Sequence, residues 1–204
     1  MPTRSAIVQD IEDMQAAGLA TMAYYYFDFR DLKKQDSYGL VCSLISQLSA
    51  RSDSCFDILS RLYLKNYCGI QKPNIDELKA CMTDMLSLSR QTPIYIIIDG
   101  LDECPSWSGT PSARDEVLKL IEELVDLKLP NVHLCVASRP EIDIRTVLEP
   151  LTSLQISLHD EGGQKDDIIA FIKSFVHSDR AMRRWRKEDQ DLVIDTLSRK
   201  ADGM

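Results

Sequence analysis

The sequence predicts an α/β fold in which helices cover a mostly parallel sheet. Segments with helical periodicity alternate along the chain with short segments rich in β-branched and aromatic residues. In addition, the run Ile94–Asp99 (IYIIID) is apolar without interruption until its last residue. Such a run is typical of a strand buried on both faces of a parallel sheet.

The elements before this strand are predicted from apolar spacing and from helix-end signals. A helix over 5–16 is expected to end at Gly18 in a left-handed conformation. A strand over 20–29 follows. Apolar stripes at 40–48 and 56–63 predict two helices, and the capping-box spacing of Asn74 and Glu77 starts a third.

The elements after this strand continue the alternation. The expected order is a loop over 100–111, a helix over 117–125, a strand over 132–138, a shorter strand over 154–158, and helices over 168–176 and 181–197.

Composition excludes several classes of function. The chain of 204 residues carries 32 acidic and 24 basic residues, a net charge of -8 that disfavours nucleic acid as a partner. A basic cluster around Trp185, over 180–187, is interpreted as a solvated helix face. No apolar run approaches the roughly 20 residues that span a membrane. The start of the sequence lacks a signal-peptide pattern, so we expect a cytoplasmic protein.

The six cysteines are expected to be free thiols that act as small buried hydrophobic residues. No Cys-x-x-Cys pair occurs, and the spacing of 13 residues between Cys42, Cys55, Cys68 and Cys81 does not place them on one helix face. The sequence therefore predicts neither a disulfide framework nor a zinc site.

Two motifs carry the candidate chemistry. In 94–104 (IYIIIDGLDEC) a buried strand ends in Asp99, and Asp102 and Glu103 follow closely. A strand-end carboxylate of this kind orients Mg²⁺, and a second carboxylate polarises water. In 134–140 (LCVASRP) another strand delivers Ser138 and Arg139. Parallel strands present their carboxyl ends at one edge, where ligands bind, and a guanidinium there matches phosphate oxygens. An arginine that only caps nearby carboxylates is the alternative.

Four segments resemble the NACHT or nephrocystin-type domain of fungal NOD-like receptors. They are 24–31 (YYYFDFRD), the strand with Asp99-Gly-Leu-Asp-Glu, the Ser-Arg-Pro segment and 200–204 (KADGM). The resemblance implies a P-loop-like three-layer α/β sandwich and a signalling ATPase of the STAND class. Such domains cycle between a closed nucleotide-bound monomer and an open oligomer, with effector and repeat domains on either side.

The resemblance also implies roles for individual residues. Asp99 would bind Mg²⁺, Asp102 and Glu103 would act on the hydrolytic water, and Ser138 and Arg139 would face the nucleotide. It further implies a nucleotide-binding core over 1–160 and, over 161–204, a helical segment that leads toward a helical or winged-helix region.

The sequence departs from the family at the phosphate-binding loop. The motif G-x-x-x-x-G-K-[ST] is absent from the 204 residues, and Met1-Pro-Thr-Arg4 stands where the loop is expected. Without that cradle of backbone N–H groups we expect no bound cofactor, very weak nucleotide binding and no ATP hydrolysis. The first strand of the sheet, which carries the loop, is also expected to be missing.

Three functions are consistent with these patterns. The first is a fragment of a nucleotide-regulated signalling switch. The second is a short interaction module that pairs with itself or with full-length relatives, independently of nucleotide. The third, a metal-dependent nuclease built on Asp99, Asp102 and Glu103, requires a further ligand, and neither His133, His159 nor His177 has ligand-like spacing.

Overall fold

The computed structural model describes residues 6–31, 34–88, 92–107, 109–156 and 162–200. Their elements, in chain order, are α1 (Ala6–Ala16), β1 (Thr21–Tyr26), α2 (Ser37–Ser49), α3 (Asp53–Lys65), α4 (Ile75–Leu86), β2 (Ile94–Asp99), α5 (Ala113–Asp126), β3 (Val132–Val136), α6 (Ile142–Leu148), α7 (Gly162–Ser178) and α8 (Lys187–Lys200). The chain divides into two compact units, 1–152 and 153–204. The predicted α/β class is confirmed.

The sheet of the first unit is open and parallel. Its strand order is β1-β2-β3, and β2 pairs with β1 from Ile94 opposite Thr21 and with β3 from Ile94 opposite Val132. Because β2 is central, its continuous apolar run is buried on both faces, as the sequence indicated.

The two faces of the sheet are covered unequally. Ile94, Ile96 and Ile98 lie in the main core, whose other members come from β1, from helices α2 to α6 and from the segments that follow β1 and β2. On the opposite face Ile97 packs in a small cluster with Met22 and with two α1 residues, Val8 and Ile11. Tyr95 also lies on this side, where its ring stacks on that of His133 at 4.9 Å between centroids.

The edges of the sheet also differ. Glutamine side chains bond to three outward backbone groups of β1: Gln15 accepts from the Met22 N–H at 2.9 Å, and Gln47 bonds both the N–H and the C=O of Tyr24, at 3.0 and 2.7 Å. On β3 the outward groups belong to Leu134 and Val136, and they have no hydrogen-bond partner among the described residues. Among the described residues, side chains therefore shield part of one edge of the sheet, and none bonds to these groups of the other edge.

Local signals explain where several elements end. Gly18 adopts the predicted left-handed conformation, with φ of +71°, directly after α1. The capping box of Asn74 and Glu77 is present at the start of α4. A second box, formed by Ser112 and Asp115, starts α5 four residues before the predicted 117.

Two predicted elements are wrong. The strand expected over 154–158 is absent over 154–156, where Leu154 and Ile156 are exposed, and 157–158 lie outside the described residues. A short apolar segment gains little from extended geometry without a neighbouring ladder.

The last helix begins at Lys187, not at 181. The Asp179 carboxylate accepts from the N–H groups of Ala181 and Met182, and Gln190 donates to the Met182 carbonyl, so a 3-10 turn forms there instead of an α-helix. The basic residues of 180–187 are exposed, as expected, but they do not share one helix face: Arg183 and Arg184 lie in the 3-10 turn and Lys187 begins α8.

The six cysteines are free thiols. Cys55, Cys81 and Cys104 are buried and Cys42 is partly buried, whereas Cys68 is exposed, against the prediction that it packs in the core. Within the described part of the chain, every helix is too short or too polar to cross a bilayer.

Candidate functional site

The candidate site begins with a sharp turn after β2. Gly100 follows Asp99 with φ of +69°, a left-handed conformation that residues with a Cβ adopt at a cost. Leu101 then enters the core, and its N–H donates to the Ala137 carbonyl at 3.3 Å. A 3-10 turn over Leu101–Glu103 completes the change of direction. This geometry carries Asp102 and Glu103 to the carboxyl edge of the sheet.

Asp102 joins the turn to the Ser-Arg-Pro segment. One of its carboxylate oxygens accepts from the Arg139 N–H at 3.0 Å, and the other lies 3.5 Å from Arg139 Nε. The Asp102 side chain is 12% exposed, whereas that of Arg139 is 84% exposed. The two motifs singled out in the sequence therefore meet, and the arginine caps Asp102, not Asp99 or Glu103.

The other predicted site residues have separate contacts. Glu103 accepts from the Phe29 N–H at 3.1 Å, which ties the turn to the loop after β1. The Asp99 carbonyl accepts from the Phe27 N–H at 3.0 Å. The exposed Ser138 hydroxyl donates to the Arg139 carbonyl at 2.9 Å. Among the described residues no ion pair joins Asp99 to Arg139, so the five predicted residues share an edge without forming one contact network.

The Asp99 carboxylate affects a thiol on the less covered face of the sheet. The pKa of the Cys135 thiol is raised first by burial and then by the neighbouring Asp99 carboxylate. In the loop after β1, hydrogen bonds from Arg30 lower the pKa of Asp28, which is also paired with Arg30 at 3.0 Å. The loops that follow all three strands thus carry charged side chains at the same edge.

Arg114 was not identified from the sequence and lies beneath this edge. Its side chain is 3% exposed. Nε donates to the Cys104 carbonyl at 2.9 Å, and a terminal nitrogen donates to the Asp102 carbonyl at 2.6 Å. The other terminal nitrogen contacts Glu141 and, at 3.0 Å, Asp143. Burial works against the charged form, but the hydrogen bonds that Arg114 donates to Glu141 and Asp143 prevail and hold the pKa of Arg114 above its ordinary value.

One signal in the sequence could have revealed Arg114. It lies in the first turn of α5, where the helix dipole disfavours a cation. An arginine in that position requires acceptors outside the helix, and here they come from the turn after β2 and from the segment after β3.

The acidic residues of the edge that follow β2 have separate partners, Phe29 for Glu103 and Arg139 for Asp102. In the described ranges, His, Cys, Asp and Glu side chains come together in no group of three that could hold a metal ion. Asp102 is already paired with Arg139, and the remaining carboxylates would face a triphosphate with like charge.

Comparison with known proteins gives one family. The family model described as Nephrocystin 3, N-terminal matches residues 4–139, which is 136 of the 204 residues. The match spans the sheet, the turn after β2 and Arg139. No curated protein and no solved structure matches the chain.

Proposed function

Because the chain belongs to the nephrocystin 3 N-terminal family, we propose that it is part of a NACHT-type signalling NTPase switch of the kind found in fungal NOD-like receptors. In that role it takes part in nucleotide-regulated oligomerisation in the cytoplasm. Asp99 would serve Mg²⁺, Asp102 and Glu103 the hydrolytic water, and Arg139 the terminal phosphate, with Ser138 also facing the nucleotide.

The contact between Asp102 and Arg139 is the observation that carries the proposal. It brings the carboxylates that follow one strand and the arginine that follows the next to a single edge of a parallel sheet. In open parallel sheets this is the edge where ligands bind. The exposed guanidinium of Arg139 is free to turn toward a phosphate there, since only one face of it is engaged by Asp102.

We further propose that these 204 residues alone neither bind nor hydrolyse ATP. A phosphate-binding loop supplies backbone N–H donors, a lysine and a magnesium-bound hydroxyl, and the sequence contains no such motif. The acidic groups of the edge would then repel the triphosphate. Nucleotide chemistry belongs, in this proposal, to a longer protein that supplies the loop.

Calorimetric titration of Mg-ATP tests the proposal. The chain is expected to give no binding heat, and a longer version that contains an in-frame Gly-Lys-Ser or Gly-Lys-Thr loop is expected to bind. The matched variant Arg139→Gln in the longer version should weaken binding. Saturable binding by the 204-residue chain that disappears in Asp99→Asn would refute the proposed dependence on the loop.

The open edge of β3 favours a second candidate, a nucleotide-independent interaction module. Leu134 and Val136 present N–H and C=O groups that no described residue satisfies, while the opposite edge is shielded by Gln15 and Gln47. Unpaired strand edges add strands from other chains. A relative or a second copy would pair with β3.

Val136→Pro tests this second candidate, because it removes one outward N–H while the bonds to β2 come from neighbouring residues. Val136→Ala is the matched control, since it shortens the side chain and keeps the N–H. Sedimentation should show association of the wild type and of Val136→Ala but not of Val136→Pro. Equal association of all three would exclude pairing through β3.

A further inference from the structure

Arg114 gathers acceptors from segments that are far apart in the sequence. Two are backbone carbonyls of the turn after β2, those of Asp102 and Cys104, and two are carboxylates that follow β3, those of Glu141 and Asp143. The arginine itself belongs to α5. Its planar fork with fixed donor directions holds these groups in a defined relative position, which a lysine could not do.

The bonds from Arg114 to the two carbonyls hold the backbone of the turn and leave its side chains available for other contacts. Asp102 uses its carbonyl for Arg114 and its carboxylate for Arg139. Glu141 lies two residues after Arg139. Its carboxylate accepts a hydrogen bond from Arg114, and its N–H donates to the Arg139 carbonyl at 2.8 Å. A closed circuit of hydrogen bonds therefore runs from Arg114 through Asp102, Arg139 and Glu141 back to Arg114.

We propose that Arg114 is a positioning residue that sets the acidic turn 100–104 and the segment 137–143 in register with each other. Its significance rests on the proposed function of this edge, because the two segments carry the proposed water and phosphate contacts and the turn directly follows Asp99, the proposed magnesium ligand. When the circuit is broken, the turn and the Ser-Arg-Pro segment move independently, although the sheet beneath them stays folded.

Cys104 provides a local reporter of the turn. Its thiol is buried, its Sγ donates to the Gln35 carbonyl at 3.2 Å, and its own carbonyl accepts from Arg114. Cys55 and Cys81 are buried among the helices of the main core, and Cys68 is exposed. Pulsed alkylation followed by mass spectrometry of each cysteine peptide therefore separates opening of the turn from opening of the core.

The decisive variant is Glu141→Gln combined with Asp143→Asn, which keeps Arg114 and weakens its charge-assisted bonds. Both carboxylates are partly exposed, so the variant is expected to fold. Alkylation of Cys104 should accelerate about tenfold, while Cys55 and Cys81 stay within about twofold of wild type. Arg114→Met should give the same pattern more strongly.

Arg145→Gln is the matched control. It breaks the exposed pair between Arg145 of α6 and Glu149, the residue after that helix, and should leave the alkylation rate of Cys104 unchanged. Unchanged Cys104 labelling in the double variant would overturn the proposal. A parallel rise at Cys55 and Cys81 would also overturn it, because Arg114 would then stabilise the whole unit and not the turn. No nucleotide is used, so the outcome is independent of the proposed NTPase role.

Discussion

The turn at Gly100 allows a matched pair of substitutions. Gly18 and Gly100 have nearly the same left-handed backbone, with φ of +71° and +69°. A Cβ at Gly18 would meet nothing within 4 Å, whereas a Cβ at Gly100 would lie 3.3 Å from the Phe27 carbonyl oxygen. The two alanine variants therefore share the backbone cost and differ mainly in one tight contact, because the other neighbours of Gly100, two Glu103 side-chain atoms, lie at an ordinary 3.8 Å.

The expected losses of stability follow from these two terms. Gly18→Ala should lower the free energy of unfolding by about 1–2 kcal/mol, the cost of a left-handed conformation with a Cβ. Gly100→Ala should cost about 1 kcal/mol more, since overpacking forces a backbone shift. Phe27 resists that shift, because its N–H is bonded to Asp99 and its ring packs on Tyr25 at 5.0 Å between centroids.

Urea unfolding followed by circular dichroism measures both variants, and equal slopes against urea make the midpoints comparable. The two glycines lie in the same unit, 1–152, so they are compared within one transition. If Gly100→Ala is no more destabilising than Gly18→Ala, the contact with Phe27 does not constrain the turn. If neither variant loses stability, the assigned backbone conformation is wrong.

Two further predictions concern buried polar groups. Gln47→Leu removes the hydrogen-bond partners of the Tyr24 N–H and C=O and should lower the free energy of unfolding by about 1–3 kcal/mol. Gln15→Leu removes the partner of the Met22 N–H alone and should lower it by roughly half as much. Thermal unfolding measures both variants, and equal losses of stability would contradict the edge-shielding role. Burial raises the pKa of the Cys104 thiol to about 12 from an ordinary 9.0. Because the thiol ionises at lower pH in the unfolded chain than in the folded one, its contribution to stability is complete below about pH 9 and is lost as the pH rises toward about 12. The unfolding free energy of Cys104→Ala should therefore fall less steeply than that of wild type over this alkaline range, and parallel curves would show that the thiol is not responsible.

The strands and their parallel arrangement were accessible from the sequence because they depend on local composition. The run before Asp99 is apolar on both faces, and only a central strand of a covered sheet meets that description. The meeting of Asp102 with Arg139 followed from the rule that parallel strands end at one edge.

Contacts between distant segments were not accessible in the same way. Arg114 depends on acceptors up to 29 residues away, and Gln47 reaches Tyr24 from 23 residues away. Neither of these contacts produces a periodic pattern of residues in the sequence. The strand prediction failed at 154–156 for the opposite reason: the composition favours a strand, but strand formation depends on a neighbour that composition cannot reveal. The magnesium, water and phosphate roles of Asp99, Asp102, Glu103, Ser138 and Arg139 stay predictions, as does the domain boundary at 160.

The unequal edges of the sheet limit how copies of this molecule can be joined. A sheet that accepts strands on both sides can add copies without end and form a fibre. Here the glutamines of α1 and α2 bond to the middle of the β1 side, so, as far as the described residues show, growth would proceed from β3. If two molecules pair through β3, each occupies the β3 edge of the other. The product would then be a dimer with a twofold axis that adds no further copies.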